Sequence, residues 1–138
     1  MPKMVLLASY VSIAGNDLSD HAAKAELTAE VEEKDVTTFA SLGWKEVIGG
    51  LASGTLAVGF KQNYAATKLD SLMWPLFLTR TPQAFEVRAD NAAVSASNPK
   101  WTGAVLIKSW KPLAGGVGDV AEVDVSWPTS GAVTRATS

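Results

Sequence analysis

Polar and apolar residues alternate from Ala23 to Val31. Ala23, Ala25, Leu27, Ala29 and Val31 take one face, and Lys24, Glu26, Thr28, Glu30 and Glu32 take the other. A period of two over this length predicts a strand with one buried and one wet face. Leu51 to Gln62 alternates too, with Leu56, Val58 and Phe60 aligned, and so does Ala84 to Ala89. In Asp119 to Trp127, Ala121, Val123, Val125 and Trp127 point inward while Glu122, Asp124 and Ser126 point outward. Val11 to Ile13 is a short β-prone run ending in the turn Ala14–Asp17. Trp101 to Trp110 is apolar on both faces in its middle, which predicts a strand covered on two sides.

Once, the period changes. Leu69, Leu72, Met73, Leu76 and Phe77 fall at i, i+3, i+4, i+7 and i+8, the stripe of an amphipathic helix over about Thr67 to Leu78. Thr67 or Asp70 is suited to cap it. Pro75 removes a hydrogen bond to the Ser71 carbonyl and predicts a kink or an early end. Polar turns are expected at Asn91–Pro99 and Lys111–Gly118. Short strands separated by turn clusters imply an antiparallel sandwich or barrel of one domain.

Glu33 to Gly50 follows neither period. It holds Thr37, Thr38, Ser41, Gly43, Gly49 and Gly50, but also Val36, Phe39, Leu42, Trp44, Val47 and Ile48. Long loops inside small domains are uncommon and usually functional. Disorder does not suit so many large apolar side chains. The expectation is a loop that buries itself against another chain, with those six apolar residues as the interface.

Composition sharpens this picture in two ways. Hydrophobic residues make up 47% of the 138 residues and charged residues only 19%. The first suffices for a core, and the second is below the roughly 25% usual in soluble domains, so part of the surface is expected to become interface. A net charge of −2 lacks the basic footprint of a protein that grips nucleic acid. The apolar patch Met4–Ala8 is too short for a secretory core, and no run reaches the ~18 residues of a membrane span. A soluble, cytoplasmic setting is expected.

Candidate chemistry is sparse. With no cysteine and one histidine, neither thiolate nor imidazole metal sites can be assembled, and no cofactor is expected. Ser19-Asp20-His21 holds the residue types of a hydrolase triad, but neighbours in sequence cannot converge as a triad must, so it reads as an exposed turn. Glu30, Glu32, Glu33 and Asp35 lack the loop geometry of a calcium site and read as a solvated acidic face. Gly115-Gly116-Val117-Gly118 precedes no helix and no Lys-Ser or Lys-Thr pair, so it reads as a turn. Among five tryptophans, Trp101 and Trp127 lie on inward strand faces and Trp74 adjoins the helix stripe, which favours core or interface over a stacking platform. No enzyme emerges.

Several segments together resemble one family. They are Ile13 to His21, Glu30 to Phe39, Gly43-Trp44-Lys45-Glu46 through Gly50-Leu51, and Leu72-Met73-Trp74-Pro75-Leu76. Asn98-Pro99-Lys100-Trp101-Thr102-Gly103, Gly118-Asp119, Val125-Ser126-Trp127-Pro128 and Gly131 to Arg135 follow. Over nearly the whole chain this resembles the tail tube (major tail) proteins of siphophages that infect actinobacteria. The resemblance implies two packed antiparallel sheets with one helix, the fold shared with contractile-tail and type VI secretion tubes. It also implies six-subunit rings whose inner sheets join around a β-lined channel. Rings would stack through the loop at 33–50 and through a C-terminal arm at 128–138. Implied partners are further copies of the chain, the tape measure protein in the lumen, terminator and distal tail proteins at the ends, and DNA in passage, but no membrane. The implied place is the virion tail, assembled in the host cytoplasm. Glu26, Glu30, Glu32, Glu122 and Asp124 are then candidates to line the channel. Two alternatives share the strand pattern: a monomeric sandwich that binds or decorates, and a terminator or adaptor forming a single ring.

Overall fold

Alternation becomes pairing in the computed structural model, which describes residues 3–138. The elements are β1 (Tyr10–Ile13), β2 (Asn16–Asp17), β3 (Ala22–Asp35), β4 (Val47–Lys61), α1 (Leu69–Thr79), β5 (Gln83–Arg88), β6 (Lys100–Val105), β7 (Glu122–Pro128) and β8 (Thr134–Ala136). They form two antiparallel sheets, ordered β2-β1-β5-β6-β8 and β3-β4-β7. The architecture is mainly β with one α-helix among the described residues, as the two periods predict.

Val11, Ile13, Phe85 and Val87 from the first sheet share one core with Leu56, Val58, Phe60, Val123, Val125 and Trp127 from the second. Trp127 is fully buried, and its indole Nε1 donates to the Ser109 carbonyl at 2.9 Å, so both its bulk and its polar edge are satisfied. Trp127→Ala is therefore expected to cost about 3–5 kcal/mol of stability, seen as a lowered melting temperature of the isolated subunit.

The helix rests on its predicted stripe: Leu69 and Met73 are buried, with Leu72, Leu76 and Phe77 packed against the core. Its N-cap is Lys68, with no side-chain cap, so neither Thr67 nor Asp70 plays that part. The Asp70 carboxylate instead accepts from the Trp110 indole at 3.2 Å. The helix also runs past Pro75 to Thr79. Pro75 and Ser71 are both exposed, so water can satisfy the freed carbonyl.

The strands depart from the pattern in three ways. β3 and β4 extend well beyond their alternating cores and pair up to Asp35↔Val47, so both ends of 33–50 are hairpin strands and the loop proper is residues 36–46. The segment expected as a strand from Trp101 to Trp110 leaves its sheet at Val105, which bridges Thr129 after β7. Ile107 and Trp110 then close the core from a coil, which explains their apolarity without a ladder. Finally, β3 does not bury the face of Ala25, Leu27, Ala29 and Val31; Leu27 is half-buried and the rest are exposed. A β-bulge shifts the register so that Ala22 opposes Phe60 and Lys24 opposes Gly59, taking Ala23 out of the alternation. The half of β3 beyond Thr28 also runs past β7, whose pairing with β4 ends at Thr55.

Candidate functional site

The acidic and the large apolar side chains that the sequence singles out lie mostly on exposed surfaces of the subunit. Beyond β7, which pairs only with Thr55–Lys61 of β4, β3 and β4 continue as a two-stranded ribbon. A hydrogen-bonded turn closes it. The Thr37 N–H donates to Asp35 at 2.8 Å, and the Thr37 hydroxyl accepts from the Glu46 N–H at 2.8 Å. Bonds from the Thr37 hydroxyl and N–H hold the Asp35 carboxyl below its ordinary value. The Thr38 N–H donates to the Ser41 hydroxyl across a short 3-10 turn, Phe39–Ser41. Leu42 follows at φ 54, a left-handed conformation costly for a bulky residue.

This turn displays its large side chains. Phe39 is fully exposed, Leu42 is 84% exposed and Trp44 80%. They form one apolar knob. Val36 stands at its base, its N–H donating to the Glu46 carbonyl. Val47 and Ile48 are also exposed, but as neighbours on a strand they point to opposite faces of the ribbon, so they flank the knob rather than join it. A locked turn holding this much apolar area in water is the largest such display on the hairpin, and exposed apolar patches of this kind commonly mark contact surfaces.

The five acids of the channel-lining expectation come together. Antiparallel partners share a face, and the pairs Glu26↔Ala57↔Ser126 and Gly59↔Asp124 put Glu26, Glu30 and Asp124 on the wet face of β3-β4-β7. Glu122, opposite Lys61, lies there too. Near the tip the extra residue of a second bulge belongs to β4, so β3 keeps its phase and Glu32 shares this face. Gly59 makes room for the acids, since a Cβ there would approach Asp124 Oδ1 to 2.8 Å. Lys24, Lys34 and Lys61 interleave, with Lys34 3.2 Å from Glu32 and Lys61 paired to Glu122. Lys24 follows from the same alternation that places the acids. The face stays acidic.

On the opposite face of β3, Ala25, Leu27 and Ala29 form one wall of an open groove of about 540 Å³, with Val87, Trp101 and Val133 across it. Residues 134–136 of the segment expected as an arm pair with β6 as β8.

The remaining candidates fall apart. The Ser19 hydroxyl accepts from the Val11 N–H at 2.9 Å, and His21 is buried rather than exposed, its Nε2 3.5 Å from Asp20. Among the described residues no three His, Asp or Glu gather as a metal site, and no helix is long and apolar enough to cross a membrane. One surface was missed. The segment expected as a polar turn, Lys111–Gly118, displays Leu113 and Val117, with Val120 just beyond. The signal was present: large apolar residues in a Gly-rich stretch, the feature that singled out residues 36–48.

No known family description matches the sequence, and no curated protein does either. The fold is nevertheless similar to solved structures. One is a chain of the "Virion of native gene transfer agent (GTA) particle", with a TM-score of 0.70 and 19% identity over 91% of this chain and 94% of that one. Another is a chain of the "Tail of empty GTA particle computed with helical refinement, C6 symmetry", with a TM-score of 0.67 and 20% identity over 83% of this chain and 81% of that one. At such identity the likeness is one of fold.

Proposed function

We propose that this chain is a structural virion protein, the tube subunit of a long, non-contractile phage-type tail, built from stacked six-subunit rings. The observation that carries the reading is the fold, shared over 83% of the chain with a subunit of a C6-symmetric tail. Physical features of the subunit agree with it. β3 and β7 are the two edges of the three-stranded sheet, and both offer unpaired backbone groups. Pairing β3 of one copy with β7 of the next, around a closed ring, leaves no open edge in that sheet. The wet face of that sheet then lines the bore with Glu26, Glu30, Glu32, Glu122 and Asp124, and the knob of Phe39, Leu42 and Trp44 contacts the adjacent ring.

In this reading the role is not enzymatic. The tube encloses a tape measure protein during assembly in the host cytoplasm, is closed by terminator and distal tail proteins, and later conducts DNA. The siphophage resemblance of the sequence agrees with a non-contractile tail. Negative-stain microscopy of the purified, concentrated chain is expected to show hollow tubes or stacked rings with six-fold end views. Monodisperse single subunits at high concentration would overturn the proposal, and isolated rings that never stack would favour a terminator.

A further inference from the structure

The hairpin knob has a counterpart at the far end of the same sheet. β4 spans 15 residues, so its ends lie roughly 45–50 Å apart at about 3.3 Å per residue. The knob closes the Val47 end. At the Lys61 end lies the loop 111–121, fastened there by three bonds. The Gln62 N–H donates to the Ala121 carbonyl at 2.9 Å, the Gln62 side chain to the Pro112 carbonyl at 3.3 Å, and the Tyr64 hydroxyl to that same carbonyl at 2.6 Å.

This second loop is built like the first. Asp119 accepts from the Gly116 N–H at 3.1 Å and returns its own N–H to the Gly116 carbonyl at 3.1 Å. That locked turn holds Val117 fully exposed, with Leu113 84% and Val120 67% exposed. The free charges of the two ends differ: acids stand beside the knob, while the loop has lysines at its start and one acid, Asp119, whose carboxylate is taken up by the Gly116 N–H. Asp35 and Glu46 beside the knob have no basic partner, and Lys108 and Lys111 beside the loop have no acidic one, among the described residues.

We infer that the loop 111–121, through Leu113, Val117 and Val120, is the surface on a second copy of this chain that receives the knob of Phe39, Leu42 and Trp44. This rests on the tube reading and assigns the knob its partner. Two different surfaces at opposite poles make a heterologous, head-to-tail contact, which repeats without limit along the strand axis, whereas a knob meeting a knob would stop at a pair. Burial of apolar area drives the contact, and Asp35 and Glu46 facing Lys108 and Lys111 set its polarity.

Complementation tests the assignment. Trp44→Asp spoils the knob and keeps the loop; Val117→Asp spoils the loop and keeps the knob; both sites are exposed, so both variants are expected to fold. Each alone should stop at one small sedimenting species, and Leu113→Asp should act like Val117→Asp. Mixing Trp44→Asp with Val117→Asp restores a single good junction and should double the sedimenting mass without giving tubes. The assignment is wrong if Val117→Asp and Leu113→Asp polymerise like wild type while Trp44→Asp does not. It is equally wrong if the mixture stays at the mass of its parts. If wild type itself never assembles, the tube reading fails first, and this partner assignment with it. Circular dichroism of each variant separates loss of contact from loss of fold.

Discussion

Replacing Trp44 by alanine is expected to give a folded subunit that no longer forms tubes. The side chain is 80% exposed in the single subunit, so it contributes little to the fold, and the melting temperature should barely move. Buried aromatic anchors commonly carry most of an interface, at about 2 kcal/mol or more on truncation. Each 1.4 kcal/mol is a factor of ten, so one such contact weakens by roughly 30-fold. Rings make the contact many times at once, and for six copies acting together the loss is roughly 12 kcal/mol, beyond what most assemblies can spare. Phe39→Ala should act in the same direction. The measurement is the protein concentration at which tubes first sediment. Tubes at wild-type concentration would refute the role of Trp44, and a collapsed melting transition would show that the residue serves the fold instead.

Reversing charge on the wet face of β3-β4-β7 should turn the proposed bore from a passage into a trap. DNA carries one charge per roughly 1.7 Å of duplex axis, and each phosphate neutralised by a protein cation releases counterions. Glu26, Glu30 and Asp124 lie on one face and outnumber nearby lysines once Glu32 and Glu122 are counted with them. With Glu26→Lys, Glu30→Lys and Asp124→Lys together, the face becomes strongly basic. Assembled variant tubes are expected to retain double-stranded DNA at 50 mM salt and lose it by 200 mM. For about six phosphate contacts the affinity should fall roughly 10³-fold over that range. Wild-type tubes should retain none at either salt. Retention outside the tube, seen as DNA that a nuclease digests freely, would put this face on the outer wall and end the sliding argument.

Local chemistry made much of this subunit legible in its sequence. Alternation in Asp119–Trp127 identified Val123, Val125 and Trp127 as core and Glu122, Asp124 and Ser126 as surface, because the side-chain period of a strand is a property of the backbone alone. The stripe Leu69–Phe77 marked the helix for the same reason, at its own period. The exposed apolar set of residues 36–48 was visible because large side chains in a Gly- and Thr-rich stretch contradict a solvated loop.

Tertiary structure decided what composition and period could not. Alternation from Ala23 to Val31 predicts burial, yet Ala25, Ala29 and Val31 are exposed, since a strand's period says which residues share a face and not whether anything covers it. The register bulges at Ala22/Lys24 and Val31/Glu33 depend on pairing with β4 and left no local mark. Ile107 and Trp110 are buried from a coil because the chain crosses between sheets at Val105, a path set by Thr129. That Glu26 and Asp124, 98 residues apart, share one face follows only from their common neighbour β4. The apolar knob and the apolar loop 111–121 likewise became opposite poles of one object only when β4 ran unbroken between them. Sequence fixes periods locally, through dihedral geometry and side-chain size. Which faces meet, and which are left for another chain, depends on contacts between residues distant along the chain.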